Sequence, residues 1–370
     1  MFIETSCATH YPGRMLLKSV CVSVCMTMAA LAADKVVGGP FAVNVSGRSA
    51  TVVWIVQTGE ASLTAQGGAT AQTVPVLRTQ KVVFRGLRPG IEYSYKVPGQ
   101  ELSGTFKTAP IGDAPFEFVL YGDNRTRADA HRKVIQAMLA HSHPDFVVQT
   151  GDMVADGADA SLWPVFFDIE HDLLRQVAFF PSLGNHEHNA SDYYDFFQAA
   201  PYYSFDWGRA HFTIFDSDLA NSAPTETARQ AFWKEQTAWL EEDLRRSQGA
   251  DFRFVAAHHP PMTAVASRQG DNPHIAALMP MFEKYHVTAA MFGHDHNYQH
   301  YLKNGVHYII AGGGGAPLYD VDKPPADITV KIMKTENFVR VQVSGKVAQM
   351  VAFAPDGSEI DRATLEGGTH

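Results

Sequence analysis

The chain has 370 residues, of which 45% are hydrophobic and 19% charged, with a formal net charge of −9. This length exceeds one ordinary domain, and the composition excludes disordered and collagen-like chains. The acidic balance leaves no basic footprint for nucleic acid, so an anionic substrate would need local positive charge, which metal ions can supply.

The N-terminus reads as a targeting segment. Arg14 and Lys18 precede the apolar run Ser19–Leu31, and Ala30-Leu31-Ala32 has the A-x-A form of a cleavage site. This is the anatomy of a secretory signal peptide over residues 1–33. Met15 is a candidate start, because Glu4, His10 and Pro12 do not fit that anatomy; an uncleaved anchor is the alternative. No later run stays apolar for about 20 residues, so no transmembrane span is expected, and the protein is expected to be secreted or periplasmic. Cys7, Cys21 and Cys25 all precede the cut. The mature chain then has no disulfide framework, thiolate metal site or cysteine nucleophile. No feature of the sequence specifies an oligomer.

Residues 34–109 read as short strands. Ser49–Val56 is β-branched around Trp54, Lys81–Leu87 is a second strand, Arg88-Pro89-Gly90 a turn, and Glu92–Val97 alternates again. Such a pattern predicts a small β-sandwich with Trp54 in its core. Leu87–Tyr93 resembles the corner of a fibronectin type III domain, where a tyrosine hydroxyl bonds back to nearby backbone.

After a Pro/Gly-containing linker the pattern becomes α/β over residues 116–370. Phe116–Asp123, Pro144–Asp152, Val177–Asn185, Ala210–Asp218, Phe252–His259 and Val287–His296 read as strands. Arg127–His141 carries Val134, Ile135, Met138 and Leu139 at helical spacing. A long helix is predicted over Thr227–Ser247, with Phe232, Trp239, Leu240 and Leu244 on its apolar stripe, and another near His274–Tyr285. The tail from Phe338 reads as hairpins, with Asp356-Gly357 as the last turn. Strand–helix alternation predicts layered architecture.

The polar clusters Asp123, Asp152, Asn185, His258 and His294/His296 each follow an apolar run. In open α/β sheets, ligand sites form beyond the carboxyl ends of strands, so these residues can converge. Carboxylates, an amide oxygen and imidazoles are hard-to-borderline metal ligands. A shared carboxylate can bridge two cations about 4 Å apart, the apparatus of in-line displacement at phosphorus, in which a metal-bound water becomes the attacking hydroxide.

"GD" at 122–123 and 151–152, "GNHE" at 184–187, "HHP" at 258–260 and "GHDH" at 293–296 resemble, in order, the five blocks of the calcineurin-like metallophosphoesterases. The β leader, Trp239–Leu244 and Gly312–Pro317 resemble purple acid phosphatases. The resemblance implies a four-layer α/β/β/α sandwich with a dinuclear site. Asp152 would bridge, Asp123 and His296 would serve the first metal, and Asn185, His258 and His294 the second. His186 would act on the leaving oxygen as general acid, and His259 would line the pocket. The cofactors implied are two metal ions, iron with iron, manganese or zinc, and the substrate a phosphate ester. An acid-phosphatase-like phosphomonoesterase is the leading expectation; a phosphodiesterase, or a non-catalytic relic with an adhesive role, is the alternative.

Two positions depart from the family pattern. Arg125 stands where many members have a histidine, and Ala155 where purple acid phosphatases have the tyrosinate that colours them. Charge-transfer colour should therefore be absent. His131 is a candidate to complete the first metal shell. Arg125 could clamp phosphate, His188 could contact substrate, and Asp156 could orient His186 or simply make a turn. Gly312–Gly315 lacks the P-loop ending and is expected to let backbone pass close to the site. Asp216-Ser217-Asp218 is expected to be a strand-end turn.

Exported material should begin near Ala33 or Asp34 on N-terminal sequencing; a start well upstream of Ala30 would contradict the cleavage reading.

Overall fold

The computed structural model describes residues 34–63, 72–97 and 101–367. The expected signal peptide, residues 1–33, lies outside the described residues. The first strands are β1 (Lys35–Val43), β2 (Ser49–Leu63), β3 (Gln72–Arg85), β4 (Glu92–Lys96) and β5 (Ser103–Lys107). The chain continues through β6 (Phe116–Tyr121), α1 (Ala128–His141), β7 (Phe146–Gln149), α2 (Trp163–Leu174), β8 (Ala178–Pro181) and α3 (Ser191–Phe197). Then come β9 (Tyr203–Trp207), β10 (Ala210–Ile214), α4 (Glu226–Arg246), β11 (Phe252–Ala256), α5 (Pro273–Ala276), α6 (Met279–Lys284) and β12 (Ala289–Phe292). The last strands are β13 (Tyr298–Lys303), β14 (Val306–Ala311), β15 (Thr329–Met333), β16 (Phe338–Ser344), β17 (Val347–Phe353) and β18 (Glu359–Glu366).

Two mixed sheets dominate. One has nine strands in the order β18-β17-β16-β6-β7-β8-β1-β2-β3, the other seven in the order β15-β13-β14-β12-β11-β10-β9. The inner strands are apolar almost throughout because both faces are covered. In β6, Phe116, Phe118 and Leu120 face the other sheet, while Val119 and Tyr121 face the helices. Between the sheets Phe118 stacks on Phe146 at 5.3 Å and meets Phe212 edge-on at 5.2 Å. α1, α2 and α3 cover the outer face of the nine-stranded sheet, and α4, α5 and α6 that of the seven-stranded sheet. This is the expected α/β/β/α sandwich.

The N-terminal β region is present and is continuous with that architecture. β1 runs antiparallel to β2 and parallel to β8, with Ala42 opposite Ala178, so β1–β3 extend the nine-stranded sheet. β4 and β5 form a separate hairpin. The Tyr93 hydroxyl accepts the Arg88 amide at 2.9 Å, the tyrosine corner read from Leu87–Tyr93. Trp54 is only half-buried rather than a core residue.

Other differences have local causes. The helix expected over His274–Tyr285 is two short pieces, because Pro280 brings no N–H to the ladder. In α4 only Leu240 and Leu244 of the expected stripe are fully buried; Gln236, one turn before Leu240, is buried with them and bonds both the amide and the carbonyl of Asp216.

His211, which looked ordinary in the sequence, pins α4 to the sheet. Its ring lies 2.7 Å from Asp206 Oδ1 and 2.9 Å from Asp243 Oδ2. Burial alone would lower its pKa, but the hydrogen bonds and charges of the two carboxylates outweigh it and hold the pKa at about 9. A raised folded-state pKa gives stability that is fully present below the unfolded value of about 6.5 and is lost as pH rises through about 9. The loss is on the order of 3 kcal/mol. Thermal unfolding should therefore fall in temperature across that alkaline window, and His211→Ala should be less stable at pH 6 with a flatter profile. An unchanged slope in the variant would refute the assignment.

Candidate metal centre

Strand ends deliver the candidate ligands. Asp123 follows β6, Asp152 follows β7, Asn185 follows β8, His258 follows β11, and His294 and His296 follow β12. Asp123, Asp152 and His294 adopt left-handed backbone, with φ of 59°, 58° and 67°. Such conformations cost non-glycine residues about 1–3 kcal/mol and persist where the surroundings over-determine them. Here they turn the chain sharply off each strand. The adjoining glycines allow the loops to stack: a Cβ on Gly184 would collide with the Asp152 amide, and one on Gly293 with the Asp123 carboxylate.

The ligands fall into two groups that meet at Asp152. Asp123, Asp152 and His296 place ligand atoms within 4.8 Å of one another, as do His258, His259 and His294. Asn185 Oδ1 joins the second group, 3.0 Å from His258 Nε2 and 3.2 Å from His294 Nδ1. Asp152 Oδ1 lies 3.5 Å from His258 Nε2, and Asp123 Oδ1 lies 3.5 Å from His296 Nε2.

Neighbouring carbonyls set the imidazole tautomers. His258 Nδ1 donates to Thr150 O and His296 Nδ1 to Pro317 O, each at 2.7 Å, so the Nε2 lone pairs face the site. Burial lowers His296 to about 4 and holds His294 and His259 well below the ordinary value, so these rings are neutral near pH 7. Burial pushes Asp123 up to about 8. Burial acts the same way on Asp152, but the attraction of His258 and His186, the His186 amide and Arg125 outweigh it and hold Asp152 below the usual carboxylate range. Asp123 Oδ1 is buried without a hydrogen-bond partner. Lone pairs converging on each other and an orphaned carboxylate oxygen have no good pairing among themselves; divalent cations satisfy them. The donor set fits a pair of such ions.

The other sequence candidates are divided. His186 stands beside the ligand groups: its amide donates to Asp152 Oδ1 at 2.9 Å and its Nδ1 to Ala155 O at 2.8 Å, leaving Nε2 4.0 Å from Asp152 Oδ2. Arg125 reaches the site and its Nε donates to Asp152 Oδ2 at 3.2 Å. The His259 ring packs 4.3 Å from that of His294, while its amide donates to Ser217 Oγ at 2.8 Å. His188 is exposed on its loop, its ring 6.1 Å from His186. His131 is not brought to the ligands; its Nε2 donates to buried Glu170 at 2.6 Å, where Tyr121 also donates. Asp156 accepts the Ala158 amide in a turn, and Ala155 O takes the place offered to it beside His186. Asp216 accepts the Asp218 amide, closing the strand-end turn expected there. The glycine run does pass close by: Gly314 N donates to Gly122 O at 2.9 Å.

Three residues were missed. Buried Glu187 accepts the amides of Gly184, Asp152 and Met153 at 2.8, 2.9 and 2.7 Å, lacing two ligand loops together. Arg268 donates to His294 O at 3.0 Å, and Tyr319 stacks on His296 at 4.2 Å. Glu187 was legible as the last letter of "GNHE"; the other two carry no local signal.

Residues 116–298 match the calcineurin-like phosphoesterase family. The chain is a calcineurin-like metallophosphoesterase. It is 28% identical to mouse tartrate-resistant acid phosphatase type 5 over 250 residues, covering 57% of this chain and 75% of that protein. The human protein of the same name is 27% identical over 235 residues, covering 55% and 69%. Among solved structures, purple acid phosphatase PPD1 from yellow lupin superposes with a TM-score of 0.69 at 17% identity, covering 88% of this chain and 74% of that one. This metal-dependent phosphoesterase is thus related to acid phosphatases.

Because Asp152 belongs to the first group and its Oδ1 lies 3.5 Å from His258 of the second, Asp152→Asn should hold at most one metal ion per chain, with activity near background. Asn185→Ala should weaken one position and recover partly with excess metal. Metal stoichiometry by mass spectrometry across a titration checks both; two ions retained by Asp152→Asn would show that it does not bridge.

Proposed function

We propose that this protein is an exported phosphomonoesterase that hydrolyses phosphate esters at a two-metal centre. The observation that supports this best is the convergence of Asp123, Asp152 and His296 with Asn185, His258 and His294 around one shared carboxylate, with His186 alongside. The relatives named tartrate-resistant acid phosphatase favour a monoesterase. Export rests on the reading of residues 1–33; among the described residues no helix is long and apolar enough to cross a membrane.

Asp123, Asp152 and His296 would hold one ion, and Asp152, Asn185, His258 and His294 the other. Iron, manganese and zinc all suit these donors. Bound ions would supply Lewis acidity, an activated water and neutralisation of phosphoryl charge. Thr150 O and Pro317 O keep His258 and His296 in the required tautomer, which preorganises the donors before any ion arrives.

His186 acts on the leaving group. Its Nδ1–H donates to Ala155 O, so Nε2 is the atom turned to the site; in the imidazolium form, with a proton on Nε2 as well, the ring gives that proton to the departing ester oxygen and is left neutral. Half-burial excludes much of the competing water while leaving the ring reachable. Arg125, fixed on Asp152, adds positive charge for an incoming phosphate.

His186→Ala should retain its metal content and lose about 10²–10⁴-fold in kcat, the usual worth of a positioned general acid. Assays on p-nitrophenyl phosphate and bis(p-nitrophenyl) phosphate, with metal content measured in parallel, test both reading and residue. Preference for the diester would overturn the monoesterase assignment, and metal lost in proportion to rate would make His186 a ligand.

A further inference from the structure

Beside the metal centre, between the loop after β7, the start of α1 and the face of α2, lies a cavity of about 130 Å³. Val154, Leu162, Val165, Phe166 and Ile169 give it apolar walls. Val165, at 49% exposure, and Ala155 lie at its open side; Phe166 and Ile169 are buried. Its polar lining is engaged elsewhere. Asn124 Oδ1 accepts from Gln149 at 2.9 Å, and His131 is held by Glu170 at 2.6 Å. A water inside would find few partners, whereas an apolar group would leave nothing unsatisfied.

Two lining residues connect the cavity to the site. Arg125 donates to Asp152 Oδ2, and the carbonyl of Ala155 fixes the His186 ring. The cavity therefore lies against Arg125 and the backbone that orients His186. An aromatic ring fits its volume, since an apolar cavity of about 150 Å³ takes benzene.

We propose that this cavity receives the alcohol portion of the substrate, so that the enzyme selects phosphate monoesters of aromatic or similarly compact apolar alcohols over those of small polar ones. This rests on the phosphoesterase reading above. The selection comes from the absence of a larger side chain at Ala155 and from the apolar face of α2. Arg125 both lines the chamber and donates to Asp152, so it links the chamber to the metal centre. Burying a ring that would otherwise stay in water favours the aryl ester by about tenfold or more.

The test compares phenyl phosphate with methyl phosphate in turnover, and phenylphosphonate with methylphosphonate in binding by calorimetry, all on the metal-loaded protein. Wild type should favour the phenyl compound in both. Val165→Trp, which fills the mouth of the cavity, and Val165→Asp, which places a carboxylate there, should each remove at least tenfold of that preference. Inhibition by inorganic phosphate and the methyl compounds should barely change. Equal phenyl and methyl values in wild type, or an unaltered ratio in both variants, would overturn the proposal. If neither phosphonate binds and neither ester turns over, the phosphoesterase reading itself fails and the proposal falls with it; a phosphonate that binds without ring preference removes the cavity alone.

Discussion

Asp123 and Asp152 are both fully shielded from water and close to each other. Burying one ionised carboxylate is expensive, and two adjacent ones repel as well. Most of the local architecture answers that problem. His294 donates its amide to Asp123, His186 donates its amide to Asp152, and Arg125 puts a guanidinium on the latter. Burial pushes both up, but His258 and His186, then the His186 amide and Arg125, outweigh it at Asp152, whereas the Asp152 charge pushes Asp123 further up, which is why their pKa values move in opposite directions. What remains is an unpartnered oxygen on Asp123, surrounded by neutral imidazoles. The protein leaves a deficit of positive charge in the place where catalysis needs cations.

Holding that arrangement requires loops that cannot relax away from it. Glu187 does this with backbone donors, accepting from the loop after β7 and from the loop after β8 at once. The positive φ angles at Asp123, Asp152 and His294 are maintained by such ties, and the glycines beside them remove the atoms that would otherwise keep the loops apart. Preorganisation of this kind lets donors meet a ligand without first being reordered.

Legibility in the sequence followed the range of each signal. β6, β7, β8, β11 and β12 were readable because a strand covered on both faces is apolar throughout, and each leads into a polar block, glycine-containing in all but β11, where it is His258-His259-Pro260. α2 went unread although it is strongly apolar on one side, as its Phe166-Phe167 pair and Pro164 mimic a strand–turn pattern. β13 to β15 also went unread, although β13 and β14 pair as a hairpin closed between Lys303 and Val306; of the three, only β15 is an edge strand. In the site, residues that act through their own chemistry stood out. Those that act through contacts did not: Glu187 through four amides, Tyr319 through a stacked ring, Thr150 and Pro317 through carbonyls that any residue could supply. His131 shows the converse error, a ligand-type side chain whose nearest carboxylate is structural.

The two ligand groups do not correspond to the two sheets. Asp123, Asp152 and Asn185 come from the nine-stranded sheet, whereas His258, His294 and His296 come from the seven-stranded one. Each candidate metal position therefore takes donors from both sheets. Neither exists until the aromatic layer of Phe118, Phe146, Phe212 and Phe254 has packed. Cross-sheet backbone bonds complete the seam, with Gly122 N donating to Ala311 O at 3.0 Å and Ala316 N to Asp123 O at 2.7 Å. Ions bound there would favour the packed state over any with the sheets apart, because the unfolded chain offers no preformed site. The buried carboxylates that weaken the apo fold are thus the same groups through which metal would bind the two halves of the sandwich together.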